Sequence, residues 1–253
     1  MTYNYSQTLK YYAEWLDISV GRFDERGIVL IETEKRRICP TGHSKNLELY
    51  CAAFSDSLFI SFSPELNKTI RFEKIFNQNT GVAEGVVKLN SLFSNKLIHR
   101  RAHYYTVIPK NINLSKAVKL QKEQYDDYYA FFMDQHPNSS PDEWLNEYYV
   151  YLVENSRCYG IYENGVLASV TGAPDVPYMQ EIITEPGIET LPQYKNKGYA
   201  SAVCIKYLQH ALNKNEVPIW TCLNNNAASC KLAEKIGYKH LCDLFTVEGT
   251  IAN

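Results

Sequence analysis

The stretch that decides the fold is Pro-Gln-Tyr-Lys-Asn-Lys-Gly-Tyr-Ala, residues 192–200, between a strand pattern and a helix pattern. The first backbone N–H groups of a helix have no partner within it and lie at the positive end of its dipole, so they can bind a pyrophosphate. Gly198 and Ala200 leave room for phosphate oxygens, and Lys195 and Lys197 add positive charge. The stretch predicts an anion site, and an ordinary turn is the alternative that these residues alone leave open.

The last third of the chain predicts strands that alternate with helices. Its first strand pattern breaks at Glu185-Pro-Gly187, because proline removes a ladder donor and glycine relaxes the backbone. Asn226 is a preferred N-cap, and Gly237 ends the helix that Asn226 begins. The patterns are, in order, a strand over residues 181–190, a helix over 198–213, a strand over 218–223, a helix over 227–236 and a strand over 241–247.

The front of the chain predicts α+β structure without a motif that carries chemistry. Residues 109–113 look like a connector, and Asn164-Gly165 predicts a tight hairpin because a type I′ turn needs positive φ at both central residues. The predicted strands cover residues 27–32, 47–53, 58–62 and 103–108, and the predicted helices cover 8–16, 82–94, 116–133 and 141–154.

Two motifs in this order and context resemble the GNAT superfamily of N-acetyltransferases. The residues that match are Lys195, Gly198 and Ala200 in the family's phosphate loop, and Asn226, Lys235, Gly237 and Tyr238 in its later Asn-helix-Lys-x-Gly-Tyr motif. Within the superfamily, the run at 187–190, together with Ser229 and the run at 232–235, is most similar to the zwittermicin-resistance type of acetyltransferase.

The resemblance implies a C-terminal GNAT fold over residues 113–253, with a mixed, mostly antiparallel sheet whose central strands splay apart between helices. A smaller α+β domain of unknown role, residues 1–112, precedes it. Acetyl-coenzyme A is the implied cosubstrate, without a metal. The implied cofactor-binding residues are Ile188, Thr190, Lys195, Asn196, Lys197, Gly198, Tyr199, Ala200, Asn226 and Ser229.

Acetyl transfer to an amine needs a neutral nucleophile and a group that accepts the ammonium proton. Glu185 is the first candidate because it lies at the predicted break, and Glu181 and Glu189 are the others. Where many family members have a tyrosine that protonates the departing thiolate, this sequence has Ala233. Tyr238 or another tyrosine supplies that proton, or the thiolate leaves without one.

Composition limits the function classes that remain. The 253 residues carry 26 Lys and Arg against 28 Asp and Glu, so no broad basic field attracts nucleic acid or a membrane surface. Seven scattered cysteines without a Cys-x-x-Cys pair, and the absence of a signal-peptide pattern, predict a cytoplasmic protein. The expected partner is a small-molecule amine, and a homodimer is an option. A catalytically idle GNAT-like module that binds coenzyme A or a protein is the alternative.

Overall fold

The computed structural model describes residues 2–77, 79–109 and 111–249. Strands and helices lie close to the predicted positions in most of the chain. The strands are β1 Gly27–Glu32, β2 Leu47–Ala53, β3 Ser57–Phe62, β4 Ile98–Tyr105, β5 Ala117–Lys119, β6 Tyr159–Glu163, β7 Val166–Gly172, β8 Ile183–Thr184, β9 Gly187–Thr190, β10 Val217–Leu223 and β11 Tyr238–Glu248. The helices are α1 Tyr3–Leu16, α2 Pro64–Ile70, α3 Phe72–Ile75, α4 Val82–Phe93, α5 Tyr125–Gln135, α6 Leu145–Glu154, α7 Tyr199–Asn213 and α8 Ala227–Lys235. Short 3-10 turns cover Val20–Asp24, Glu34–Arg37, Ser94–Lys96, Lys122–Gln124 and Pro192–Tyr194.

Two sheets share the strands. The larger sheet has the order β1-β3-β2-β11-β4-β10-β8, and the smaller sheet has the order β5-β6-β7-β9. Pairing is antiparallel except between β1 and β3 and between β8 and β10. The predicted architecture, a mixed and mostly antiparallel sheet with splayed central strands between helices, is therefore confirmed.

The splay lies where the sequence breaks. Ile183 pairs with Val217 in the larger sheet, whereas Gly187 pairs with Gly172 in the smaller one. The chain thus leaves one sheet at Thr184 and enters the other three residues later. Among the strands that the structure describes, β9 pairs with β7 alone, so its other edge keeps backbone groups that no strand uses.

The larger sheet takes strands from both sides of the predicted boundary between residues 112 and 113. β4 lies between the two C-terminal strands β10 and β11 and is antiparallel to both. β2 continues the same sheet on the far side of β11. The division into residues 1–112 and 113–253 stays a prediction about domains, but the sheets do not follow it.

Apolar side chains cover both faces of the larger sheet. Helix α1 packs on one face with Tyr12 and Trp15, and Leu89 of α4 and Phe72 pack on the other. The smaller sheet packs against α5, α6 and α7. Helices α7 and α8 close the core over β10 and the start of β11. Strand β9 and helices α7 and α8 therefore rest on packed apolar cores.

Several predicted elements need correction. Residues 116–120 do not begin a helix, because Ala117–Lys119 pair with β6 and form β5. The helix predicted from residue 141 begins at Leu145 after a turn, and the strand predicted over 103–108 lies at Ile98–Tyr105. In each case a tertiary partner, which periodicity does not contain, decides the outcome.

Among the described residues, no helix has the length and apolar character needed to cross a membrane. In the same ranges, no three or more His, Cys, Asp or Glu side chains are grouped so that they could hold a metal ion.

Candidate functional site

The N-terminus of α7 is built by a turn with two residues in the left-handed region. Asn196 has φ +62° and Gly198, the N-cap residue, has φ +82°. Glycine adopts this conformation without strain, and no other heavy atom beyond its chain neighbours lies within 4 Å of where a Cβ would be. The N–H of Ala202 donates to the carbonyl of Gly198 at 3.2 Å. The N–H groups of residues 199–201, one turn earlier, therefore have no helical acceptor.

A cavity of about 570 Å³ lies where β9, α7 and α8 meet. Nine of the ten predicted cofactor-binding residues line it: Ile188, Thr190, Lys195, Asn196, Gly198, Tyr199, Ala200, Asn226 and Ser229. The tenth, Lys197, does not line it, and its Nζ lies 5.0 Å from the ring centre of Tyr194. The structure therefore brings together residues that are up to 41 positions apart in sequence.

The charges in the cavity favour an anion. Lys195, Lys231 and Lys235 line it, against one carboxylate, that of Glu189. Lys231 and Lys235 are one helical turn apart on α8 and so face the same way. Lys231 is not among the predicted cofactor-binding residues. Its spacing of four residues from Lys235, which places both on one face of a helix, could have predicted it. The lysines and the N-terminus of α7 both line the cavity, and both attract an anion there.

The start of α8 shows how two of the predicted residues are used. The Asn226 side chain accepts the N–H of Ser229 at 3.1 Å and so caps the helix, as predicted. The indole Nε1 of Trp220 donates to Ser229 Oγ at 3.1 Å. Ser229 Oγ is thus held in place as the acceptor of this hydrogen bond at the wall of the cavity.

Glu185 lies in the break between β8 and β9 and is half-buried. The backbone N–H of Thr221, on β10, donates to Glu185 Oε1 at 2.5 Å. The hydroxyl of Tyr12, on α1, lies 3.4 Å from that of Thr221. Glu185 does not line the cavity, but Ile188, three residues later, does. The carboxyl group is therefore held beside the open edge of β9 by the neighbouring strand.

Burial raises the pKa of Glu185 to about 7. The hydrogen bond from Thr221 and the charge of Arg100 favour the ionised form and oppose this rise without cancelling it. A carboxyl group with a pKa near the working pH accepts a proton efficiently and can release it again.

The other predicted catalytic residues have different surroundings. Glu181 is exposed, and Glu189 is exposed with one carboxylate oxygen 3.2 Å from Nε2 of His136. Tyr238 is 3% exposed and packs edge-on against Tyr105, and burial raises the pKa of its hydroxyl well above the ordinary value. Tyr238 does not line the cavity. Its packing is that of a core aromatic.

The raised pKa of Glu185 predicts a pH-dependent effect on stability. Because ionisation costs more in the folded state, the parent protein loses stability as pH rises from the unfolded pKa of about 4.5 through about 7. Glu185→Gln removes this loss and keeps an acceptor for the Thr221 N–H. We expect the variant to gain roughly 3 kcal/mol on the parent between pH 4 and pH 8. Urea unfolding at several pH values measures this, and a pH-independent difference would contradict it.

Sequence comparison agrees with the geometry of the cavity. Residues 154–244 match the model of the GNAT acetyltransferase family, and these residues include β9, α7 and α8. Over these residues the chain is similar to GNAT acetyltransferases, which are acyltransferases. No curated protein matches the sequence.

Solved structures share the GNAT fold with this chain. An acetyltransferase of the GNAT family from Colwellia psychrerythraea is 18% identical, with a TM-score of 0.53 over 81% of this chain and 82% of that one. A GCN5-related N-acetyltransferase from Sphaerobacter thermophilus is 10% identical, with a TM-score of 0.50 over 66% of this chain and 56% of that one. At these identities the likeness concerns the fold. The match to the Colwellia psychrerythraea protein extends well beyond residues 154–244, which the GNAT family model covers.

Proposed function

We propose that the protein is an acetyl-coenzyme A-dependent N-acetyltransferase that acetylates a primary amine of a small molecule. The observation that carries the proposal is the cavity at the splay, where the free N–H groups of α7, three lysines and the open edge of β9 converge. Acetyl-coenzyme A has a pyrophosphate that the N–H groups of α7 can bind and further negative charge that the lysines can neutralise. Its amide groups can pair with the open edge of β9. The residues present therefore fit this cosubstrate.

Different residues bind the cosubstrate and accept the proton. The start of α7 binds the anionic end of acetyl-coenzyme A, and the lysines neutralise its charge. The bound cosubstrate supplies the acetyl thioester. Glu185 accepts the proton of the acceptor's ammonium group, so that a neutral amine can attack. Positioning of the two reactants beside the splay contributes the rest of the rate enhancement.

The acceptor class rests on the finer resemblance. The runs at 187–190 and 232–235 are most similar to the zwittermicin-resistance type, which favours a small antibiotic-like or metabolite amine over a protein lysine. The seven free cysteines, of which all but Cys39 are buried, fit a protein of the reducing cytoplasm. A homodimer stays a prediction.

A catalytically idle module that binds coenzyme A is the second candidate. Ala233, on the buried face of α8, and the burial of Tyr238 favour it, because neither position offers an acid to the departing thiolate. A thiolate is nevertheless a good leaving group, so that an enzyme can work without this acid.

Two measurements test the proposal. Calorimetry should give a dissociation constant for acetyl-coenzyme A between about 1 µM and 1 mM, the range in which most KM values fall. Release of free thiol from acetyl-coenzyme A should depend on an added amine from a panel of small amines. Absence of binding at millimolar concentration would contradict the proposal. Binding without thiol release for any amine would leave the idle module as the function.

A further inference from the structure

Arg36 is a buried guanidinium without a carboxylate partner. It lies in the 3-10 turn Glu34–Arg37 and is 2% exposed. Its neighbours in sequence both have acidic partners, since Lys35 pairs with Glu14 and Arg37 with Glu34 and Glu65. Among the described residues, no carboxylate forms an ion pair with Arg36, and its Nε and Nη1 are buried without any hydrogen-bond acceptor.

One bond of Arg36 has a structural explanation. Nη2 donates to the carbonyl of Trp15 at 2.6 Å, at the C-terminal end of α1, where a positive charge stabilises the helix. This hydrogen bond uses one of the three guanidinium nitrogens of Arg36. Burial lowers the pKa of Arg36, but an arginine stays protonated at neutral pH. The charge of Asp17 acts on Arg36 without forming an ion pair with it. A buried charge without a paired counter-charge destabilises a fold, and so Arg36 needs another reason to be there.

Aromatic side chains surround the guanidinium. Its central carbon lies 5.5 Å from the ring centre of Tyr50, which stacks on Trp15 at 4.8 Å. Tyr178 packs edge-on against Trp15 at 5.1 Å and is half-buried, so that part of its side chain reaches solvent. Tyr178 belongs to the segment that leads into β8 and Glu185. One segment therefore supplies both Tyr178, which packs near Arg36, and Glu185.

A second arginine connects the two. Tyr50 and Thr246 are directly opposite each other on β2 and β11, so their side chains share one face of the larger sheet. Arg100 Nη1 donates to Thr246 Oγ1 at 3.2 Å and is therefore on that face too. Its charge stabilises the ionised form of Glu185. One face of the sheet thus carries both Arg100, whose charge acts on Glu185, and Tyr50, whose ring lies against Arg36.

We propose that the acceptor amine also carries a carboxylate, and that Arg36 binds it. The proposal rests on the proposed acetyl transfer and specifies its substrate class as an amino carboxylate. A singly charged carboxylate balances the single charge of Arg36 and accepts the hydrogen bonds that Nε or Nη1 now lack. In this arrangement the ammonium end lies at Glu185 and the anionic end at Arg36, with aromatic rings along the apolar part of the molecule between them.

Matched acceptors test the proposal directly. The thiol-release assay compares 6-aminohexanoate with hexylamine, and phenylalanine with 2-phenylethylamine, so that each pair differs in the carboxylate. We expect the parent protein to favour the carboxylate member of at least one pair by tenfold or more in kcat/KM. Equal turnover of both members in both pairs would overturn the proposal, and this comparison needs no variant.

Variants then assign the preference to Arg36. Arg36→Gln should raise KM for the carboxylate member at least tenfold and leave kcat/KM for the plain amine within twofold. Arg37→Gln is the matched control, since it removes an exposed charge from the adjacent position and should keep the preference. A merely structural role predicts instead that Arg36→Gln lowers turnover of both members equally. Should Arg36→Gln not fold, Arg36→Lys, which keeps the charge but has a single donor group, should lose several-fold in the preference.

A binding measurement separates this inference from the proposed function. Calorimetry with 6-aminohexanoate and the coenzyme A-loaded protein requires no turnover. Binding to the parent and the Arg37→Gln variant, with at least tenfold weaker binding to Arg36→Gln, would support the carboxylate site even if no amine is acetylated. Equal affinity of parent and Arg36→Gln, or absence of binding to the parent alongside active acetylation of plain amines, would overturn it.

Discussion

Replacement of Gly198 by glutamate should weaken binding of acetyl-coenzyme A by at least 100-fold, roughly 3 kcal/mol. The N-cap position has open space where a Cβ would be, so the new side chain need not clash with protein atoms. It would instead place a bulky negative charge against the N–H groups that are meant to bind the pyrophosphate. Calorimetry with acetyl-coenzyme A measures the loss, and unchanged affinity would show that the phosphates bind elsewhere.

Gly27→Glu is the matched control for this prediction. Gly27 has φ +79°, against +82° for Gly198, and likewise no other heavy atom within 4 Å of a Cβ position. The backbone strain should therefore be similar, about 1 to 2 kcal/mol in each variant. Gly27 begins β1, at the edge of the larger sheet away from α7. We expect both variants to unfold at similar urea concentrations, whereas Gly198→Glu alone should lose the cosubstrate.

Local chemistry explains what the sequence could predict. The hairpin at residues 164–165 forms because both residues accept positive φ, +52° and +80°. The cap at Asn226 depends on a side chain and an N–H three positions apart. The positions of α7 and the break at Glu185 likewise depend on neighbouring residues. For these reasons most of the cavity could be predicted before its shape was known.

Pairing over long distances in sequence explains what it could not predict. β4 fits between β10 and β11, more than 100 residues later in the chain, and no periodic pattern specifies such a partner. Three successive basic residues, 35–37, are typical of a solvated surface, yet the middle one is buried. Its burial results from Trp15, Tyr50 and Tyr178, which come from three separate segments. The burial of Arg36 is therefore a feature that required the structure.

The second large effect concerns catalysis. We expect Glu185→Gln to lower kcat by about 100-fold or more, the usual contribution of a general base, while the affinity for acetyl-coenzyme A changes less than twofold. The glutamine keeps an oxygen for the Thr221 N–H, so that the position of the side chain should persist. Glu181→Gln is the matched control, because Glu181 is an exposed glutamate just before the same break and should be dispensable.

The pH dependence of kcat gives this prediction its sharpest form. A base with a pKa of about 7 must be ionised to accept a proton, so kcat of the parent should fall below about pH 7 and level off above it. In Glu185→Gln this fall of kcat below pH 7 should disappear, along with most of the rate. An acceptor whose amine is already neutral at pH 7, such as an aromatic amine, should lose much less, because it has no ammonium proton to give up before it attacks. The proton transfer would belong to another group if kcat of the variant still fell below pH 7. The same would follow if the variant acetylated ammonium and neutral amines more slowly by equal factors.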